Sequence, residues 1–148
     1  DTVHISGTSR ITLRLASSKP AANLTVWLVQ VPFDSTTIGT SIQEGLITRG
    51  WADPENYRSL THGGNYDSEI PGEKLVPGKF YNMTFDIEPD DEIIPAGKRI
   101  GVMIMSSDRE FTLWPRAGTE LTVDLGGSSF TLPIVGGATA LRSAGAIK

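Results

Sequence analysis

Few residues in this chain could do covalent chemistry. It has two histidines, His4 and His62, and no cysteine. Hydrolysis by a serine needs a nucleophile, a base and an oxyanion hole, so a histidine base would have to be one of these two. The strained turn that presents a nucleophilic serine reads G-x-S-x-G. The nearest stretches, Gly7-Thr8-Ser9 and Gly39-Thr40-Ser41, lack the second glycine at the required place. His4 falls in a strand-like start and His62 in a long loop, where an exposed or hydrogen-bonded histidine is the simpler reading. The lack of cysteine removes thiolate nucleophiles, iron–sulfur clusters, cysteine zinc sites and disulfides together. Asp86, Glu88, Asp90, Asp91 and Glu92 could offer oxygens to calcium. They lack the order of a calcium loop, have no glycine at the turn and enclose Pro89, so solvated turn acids are the better account. No phosphate-cradling glycine loop with its lysine, no G-x-G-x-x-G and no H-E-x-x-H occurs. No catalytic, cofactor-binding or metal-ligating residue is assigned.

Sugar binding uses exposed rings beside polar side chains, and Trp27, Trp51 and Trp114 could serve. An aromatic at strand spacing is more often core than platform, so a carbohydrate-binding module stands as the alternative. The N-x-[ST] matches Asn23-Leu24-Thr25 and Asn82-Met83-Thr84 lie inside predicted strands and read as chance.

The elements that must position these residues are short. At 148 residues and 15.9 kDa the chain fits one domain, which buries about 70% of its unfolded surface without help from metal or disulfide. Hydrophobic residues are 39% and charged residues 20%, a globular composition. Thirteen basic against seventeen acidic residues give −4 and a pI of about 5.1, so neither nucleic acid nor an anionic membrane is an expected partner. The compartment stays open, secreted or cytoplasmic, since a cysteine-free soluble protein folds in either redox setting. Ile100–Met105, the longest dense apolar run, is far below the ~20 residues that span a bilayer. No signal peptide precedes the first strand, and a chain opening on strand-like sequence suggests a piece of something longer.

Period-two alternation dominates. Ile11, Leu13 and Leu15 alternate with Thr12 and Arg14. Tyr81, Met83, Phe85 and Ile87 alternate with Asn82, Thr84 and Asp86, and Ile100, Val102 and Ile104 form a further set around a kink at Gly101. Leu24–Val31 is apolar on both faces, which predicts a central strand, or one covered on its second side by a loop or a partner. Leu46–Arg49 looks extended. Leu121, Val123 and Leu125, a Gly126-Gly127 turn, then Phe130, Leu132 and Ile134 predict a hairpin. The only helical candidate, around Ser41 to Leu46, is short and carries Gly45. These strands predict an all-β jelly-roll sandwich over residues 1–137 and a small-residue tail over 138–148. Ala52 to Lys79 breaks the rhythm with Pro54, Gly63-Gly64, Pro71-Gly72 and Pro77-Gly78, and with Tyr57, Arg58, His62 and Tyr66 among its side chains. Loops of that length are often functional, which makes it a candidate contact surface.

Several segments together resemble the C-terminal non-catalytic domain of the X-Pro dipeptidyl-peptidase and cocaine esterase family of serine hydrolases. They are His4-Ile-Ser-Gly-Thr8 with Ile11-Thr-Leu-Arg-Leu15, Leu24–Val31, Leu46-Ile-Thr-Arg-Gly-Trp51 with Ala52-Asp-Pro54 and Arg58-Ser-Leu60, Phe85–Pro89, and Ile94–Ile100. Many members carry histidine after the Ala-Gly pair, where this chain has Lys98. The resemblance implies a galactose-binding-type jelly roll that follows a catalytic α/β-hydrolase domain. The Ser-Asp-His triad would lie in that upstream domain, so no family catalytic residue is carried onto this chain. It further implies a parent enzyme that releases Xaa-Pro dipeptides, with an esterase or amide hydrolase parent as the alternative. The domain would pack on the catalytic domain and shape access to its pocket, and a homodimer contact is a further candidate. Arg49, Trp51, Tyr57 and Arg58 are the interface candidates, because arginine and aromatic residues are enriched in such contacts.

Overall fold

The computed structural model describes residues 1–38, 44–60, 70–108 and 110–147. Its strands are β1 (Val3–Gly7), β2 (Arg10–Ser17), β3 (Leu24–Val31), β4 (Leu46–Ala52), β5 (Phe80–Asp86), β6 (Asp90–Ile94), β7 (Arg99–Met105), β8 (Leu121–Val123) and β9 (Ser129–Thr131), followed by one helix, α1 (Gly137–Ser143). One antiparallel sheet runs β4-β3-β7 and a second runs β5-β2-β8, with β9 also on β2. β1 pairs with β6.

The two larger sheets form a sandwich because each has one apolar face. Ile11, Leu13 and Leu15 of β2, with Tyr81, Met83 and Phe85 of β5, meet Leu24, Val26 and Leu28 of β3 in one buried cluster. Full burial of such a side chain contributes about 1.5–3 kcal/mol. Gly50 of β4 is required by this packing, since a Cβ there would lie 2.6 Å from Ile87 Cγ2 and 2.8 Å from Ile87 Cα. β3 is central, as its two apolar faces predict. Thr25, Trp27 and Val29 point away from the sandwich core and are buried nonetheless. Phe33 covers part of that second face, its ring 6.3 Å from the Trp27 ring at 84°.

The structure corrects the sequence reading at two places. Residues 121–134 are not a hairpin: β8 pairs Leu121↔Ser17 and Val123↔Leu15, and β9 pairs Ser129↔Thr12 and Thr131↔Arg10, so both lie along β2. Between them a turn over Leu125–Gly127 bulges out, held by the Asp124 side chain, which accepts from the Gly126 and Gly127 amides and pairs with Arg14 at 2.9 Å. Asp90, Asp91 and Glu92, read as turn acids, lie in strand β6, because β1 supplies the ladder; Asp91 is exposed, and Asp90 and Glu92 are half-buried. The stretch after Gly136 carries a helix. Gly136, at φ +80°, turns the chain into α1, where alanine and leucine favour a helix. Most of the helical candidate at Ser41 to Leu46 lies outside the described residues, and its last residue, Leu46, opens β4.

Candidate interaction site

β4 carries Arg49 and Trp51 on the outer face of its sheet, opposite Trp27 and Thr25 of β3. The loop that leaves β7 folds back over this face and is pinned by Asp108, which is 1% exposed. The Asp108 carboxylate accepts from Trp51 Nε1 at 2.8 Å, from the Phe111 amide at 3.2 Å and from Thr112 Oγ1 at 3.3 Å. Phe111 thereby sits over β4, its ring 5.9 Å from that of Trp51. The Arg49 guanidinium lies 3.9 Å from the Phe111 ring centroid and 5.8 Å from that of Trp51, a cation packed chiefly on the Phe111 ring. Asn23 Nδ2 donates to the Leu113 carbonyl and fixes the far side of the loop. The loop offers Phe111, Leu113 and Trp114 to solvent at 53%, 86% and 68% exposure. Beneath it, Arg49 Nη1, Trp27 Nε1 and Thr25 Oγ1 are buried with no hydrogen-bond partner among the described residues.

Tyr57 and Arg58 form a second cluster. A turn over Pro54–Asn56, capped by Asp53, leads into them. Tyr57 OH donates to Glu73 Oε2 at 2.9 Å and accepts from Arg58 Nε at 3.3 Å, while Arg58 Nη1 pairs with Glu73 Oε1 at 2.9 Å. The Tyr57 hydroxyl, then the Glu73 charge, raise the Arg58 pKa, so the guanidinium stays charged. The Tyr57 ring packs 4.5 Å from the Tyr81 ring, and Leu60 and Leu75 are buried, so the described part of the long loop is tied to the sandwich. Among the described residues this pair shares no hydrogen bond, ion pair or ring contact with Arg49 and Trp51. Trp51 also walls a cleft of ≈ 620 Å³ whose rim carries Asp53, Asn56 and Glu88. The four sequence-predicted interface residues therefore fall into two groups rather than one patch.

The remaining candidates separate cleanly. Trp27 is fully buried and Trp51 is half-buried, which leaves Trp114 as the exposed ring of the three. His4 Nε2 meets Asp91 Oδ1 at 2.5 Å, and hydrogen bonds from His4 and then Ser6 lower the Asp91 pKa. Asp86 is held by Arg10 at 2.7 Å. Among the described residues no group of three or more His, Asp or Glu side chains could hold a metal ion. His62 and Tyr66 lie outside the described residues. Sequence reasoning missed Asp108, Phe111 and Leu113. The available signal was an apolar Phe111-Thr-Leu-Trp114 stretch that follows an aspartate and fits no strand.

Residues 1–144 match the family described as the X-Pro dipeptidyl-peptidase C-terminal non-catalytic domain. The chain belongs to that family. A Rhodopirellula baltica protein named "Putative Xaa-Pro dipeptidyl-peptidase" is 48% identical over 143 residues, 97% of this chain and 21% of that protein. A Bacillus anthracis protein of the same name is 40% identical over 131 residues, 88% of this chain and 19% of that one. This member of the X-Pro dipeptidyl-peptidase C-terminal family thus spans about a fifth of the length of the curated relatives it matches. Among solved structures, an α-amino acid ester hydrolase aligns at TM-score 0.62 and 15% identity over 91% of this chain and 24% of that one. A CocE/NonD family hydrolase of Staphylococcus aureus aligns at 0.59 and 16% over 90% and 29%. At that identity both alignments speak for the fold alone. No helix among the described residues is long and apolar enough to cross a membrane.

Proposed function

We propose that this domain closes the C-terminal end of a serine dipeptidyl-peptidase that removes Xaa-Pro dipeptides from peptide N-termini. It packs on an upstream α/β-hydrolase domain through the face built by Arg49, Trp51 and the Phe111–Trp114 loop, and helps bound the approach to the catalytic pocket. The observation that carries the reading is the exposed trio Phe111, Leu113 and Trp114, in a loop tied to Asp108 through the Phe111 amide, in a chain that matches only about a fifth of its relatives' length. Exposed apolar clusters rimmed by polar groups mark contact surfaces, and arginine with aromatics is what such surfaces favour. The Tyr57–Arg58–Glu73 cluster is the second candidate contact.

The test is hydrolysis of an Ala-Pro arylamide by the full-length gene product, beside the same protein carrying Leu113→Asp. Hydrolysis by the parent and a weakened domain contact in the variant, read as earlier proteolytic release of this domain, are expected. Turnover of amino-acid esters without the arylamide would move the parent to the esterase class. Unchanged release of the Leu113→Asp domain would remove this face from the contact.

A further inference from the structure

On the side of the sandwich formed by β7, β8 and β9, the core is not closed. A cleft of ≈ 190 Å³ opens between the two sheets there, floored by Ile11 and Leu13 and walled by Val102, Ile104, Val123 and Phe130. Val102 pairs with Leu28 and points to the core side, yet it is 40% exposed, and Leu125 at the lip is 80% exposed. Along its whole length β7 has no fully buried residue, whereas Leu24–Val29 of its neighbour β3 are all buried. β7 is also an open edge. Its ladder partner is β3 alone, and no other backbone hydrogen bond reaches residues 99–105 among the described residues. Past Arg99 at its start, this edge runs Ile100–Met105 without charge or proline, an arrangement that proteins ordinarily avoid.

We infer that an apolar, strand-forming segment of the same polypeptide, lying directly N-terminal to Asp1, adds to β7 as an antiparallel strand and inserts side chains into this cleft. Two observations select that occupant. The relatives are about five times as long as the matched region, so chain is available to fill the cleft. The geometry also delivers it: Val3 pairs with Ile94, and the chain from Ile94 turns through Pro95–Lys98 directly into β7. Residues ahead of Val3 therefore pass the beginning of β7, and a preceding strand running back along the edge would be antiparallel to it. Backbone pairing would supply affinity, and alternate side chains entering the cleft would supply register. The inference rests on the proposed larger parent, but not on which face contacts the catalytic domain.

The test uses the full-length gene product with its other cysteines replaced and Val102→Cys labelled with benzophenone maleimide. Photocross-links to the segment just before Asp1 are expected, together with ~10-fold or slower exchange than in exposed loops for the β7 amides that point away from β3. A cross-link to a second copy or to a distant part of the chain, or fast exchange at those amides, would overturn it. Assay of the same protein on the Ala-Pro arylamide keeps the two readings apart. Hydrolysis with an unprotected β7 defeats this inference alone, and protection without hydrolysis defeats the peptidase reading alone.

Discussion

The indole of Trp51 donates to the carboxylate of Asp108 at 2.8 Å across a separation of 57 residues, and that bond anchors the loop that follows β7 to the face of β4. The carboxylate is buried and serves two further donors, the Phe111 amide and the Thr112 hydroxyl. Asp108→Ala would strand all three, each worth about 1–3 kcal/mol when left unpaired in the interior. The expected net loss is about 2–4 kcal/mol, seen as a fall in the urea midpoint. Asp108→Asn, which keeps acceptor capacity, should lose roughly half of that.

Thr25 and Thr48 lie on adjacent strands and make opposite predictions. Thr25 Oγ1 is buried without a hydrogen-bond partner among the described residues, whereas Thr48 Oγ1 donates to the Glu88 carbonyl at 2.7 Å. Thr25→Val removes a hydroxyl whose desolvation nothing offsets and should stabilise by about 1 kcal/mol. Thr48→Val should destabilise by about the same amount. Denaturant midpoints of the two variants check the pair, and a loss for Thr25→Val would mean that its hydroxyl is satisfied.

Gly50 faces Ile87 so closely that a Cβ would sit 2.8 Å from the Ile87 Cα. Since that atom is backbone, the strand itself must shift, and Gly50→Ala should cost about 2–3 kcal/mol. Trimming the neighbour in Gly50→Ala/Ile87→Val should restore nothing, because valine keeps the Cγ2, Cβ and Cα atoms that the added Cβ meets. Thermal unfolding of the single and double variants tests this.

The His4–Asp91 pair predicts a direction with pH. Asp91 has its pKa lowered from the model-peptide value of 3.8, first by hydrogen bonding from His4. A depressed folded-state pKa stabilises above the unfolded value and loses that stabilisation as pH falls through the folded value. The effect is therefore present above about pH 4 and disappears below it. Carboxyl titration by NMR should show the Asp91 pKa rising toward 3.8 in His4→Ala, and an unmoved value would dismiss the pair.

What the sequence disclosed follows from which forces are local. β2, β3, β5 and β7 were legible because each alternates around a shared core, and the two-faced pattern of Leu24–Val31 correctly gave a central strand. β6 was hidden because Asp90, Asp91 and Glu92 resemble a solvated turn, and only the ladder to β1 makes them a strand. The supposed hairpin failed for a related reason. Alternation reveals that Leu121, Val123 and Phe130 face one side, but not that β2 rather than their own neighbour is the partner. At the site, Arg49 and Trp51 were visible by residue type. Asp108 was not, because an aspartate in a loop becomes a buried anchor only through contacts many residues away.

The pairing of β2 carries a consequence for how the chain is made. β2 ends at Ser17, but its ladder partners are β5, which begins at Phe80, and β8 and β9, which end at Thr131. Since synthesis runs from N- to C-terminus, β2 leaves the ribosome well before its ladder partners and must wait, with Ile11, Leu13 and Leu15 without their sheet neighbours, until Thr131 has emerged. Such non-local closure is slow, and the exposed strand is open to misassociation meanwhile. A truncation that stops before Leu121 is thus expected to be captured by chaperones or to aggregate rather than to persist as a smaller sandwich.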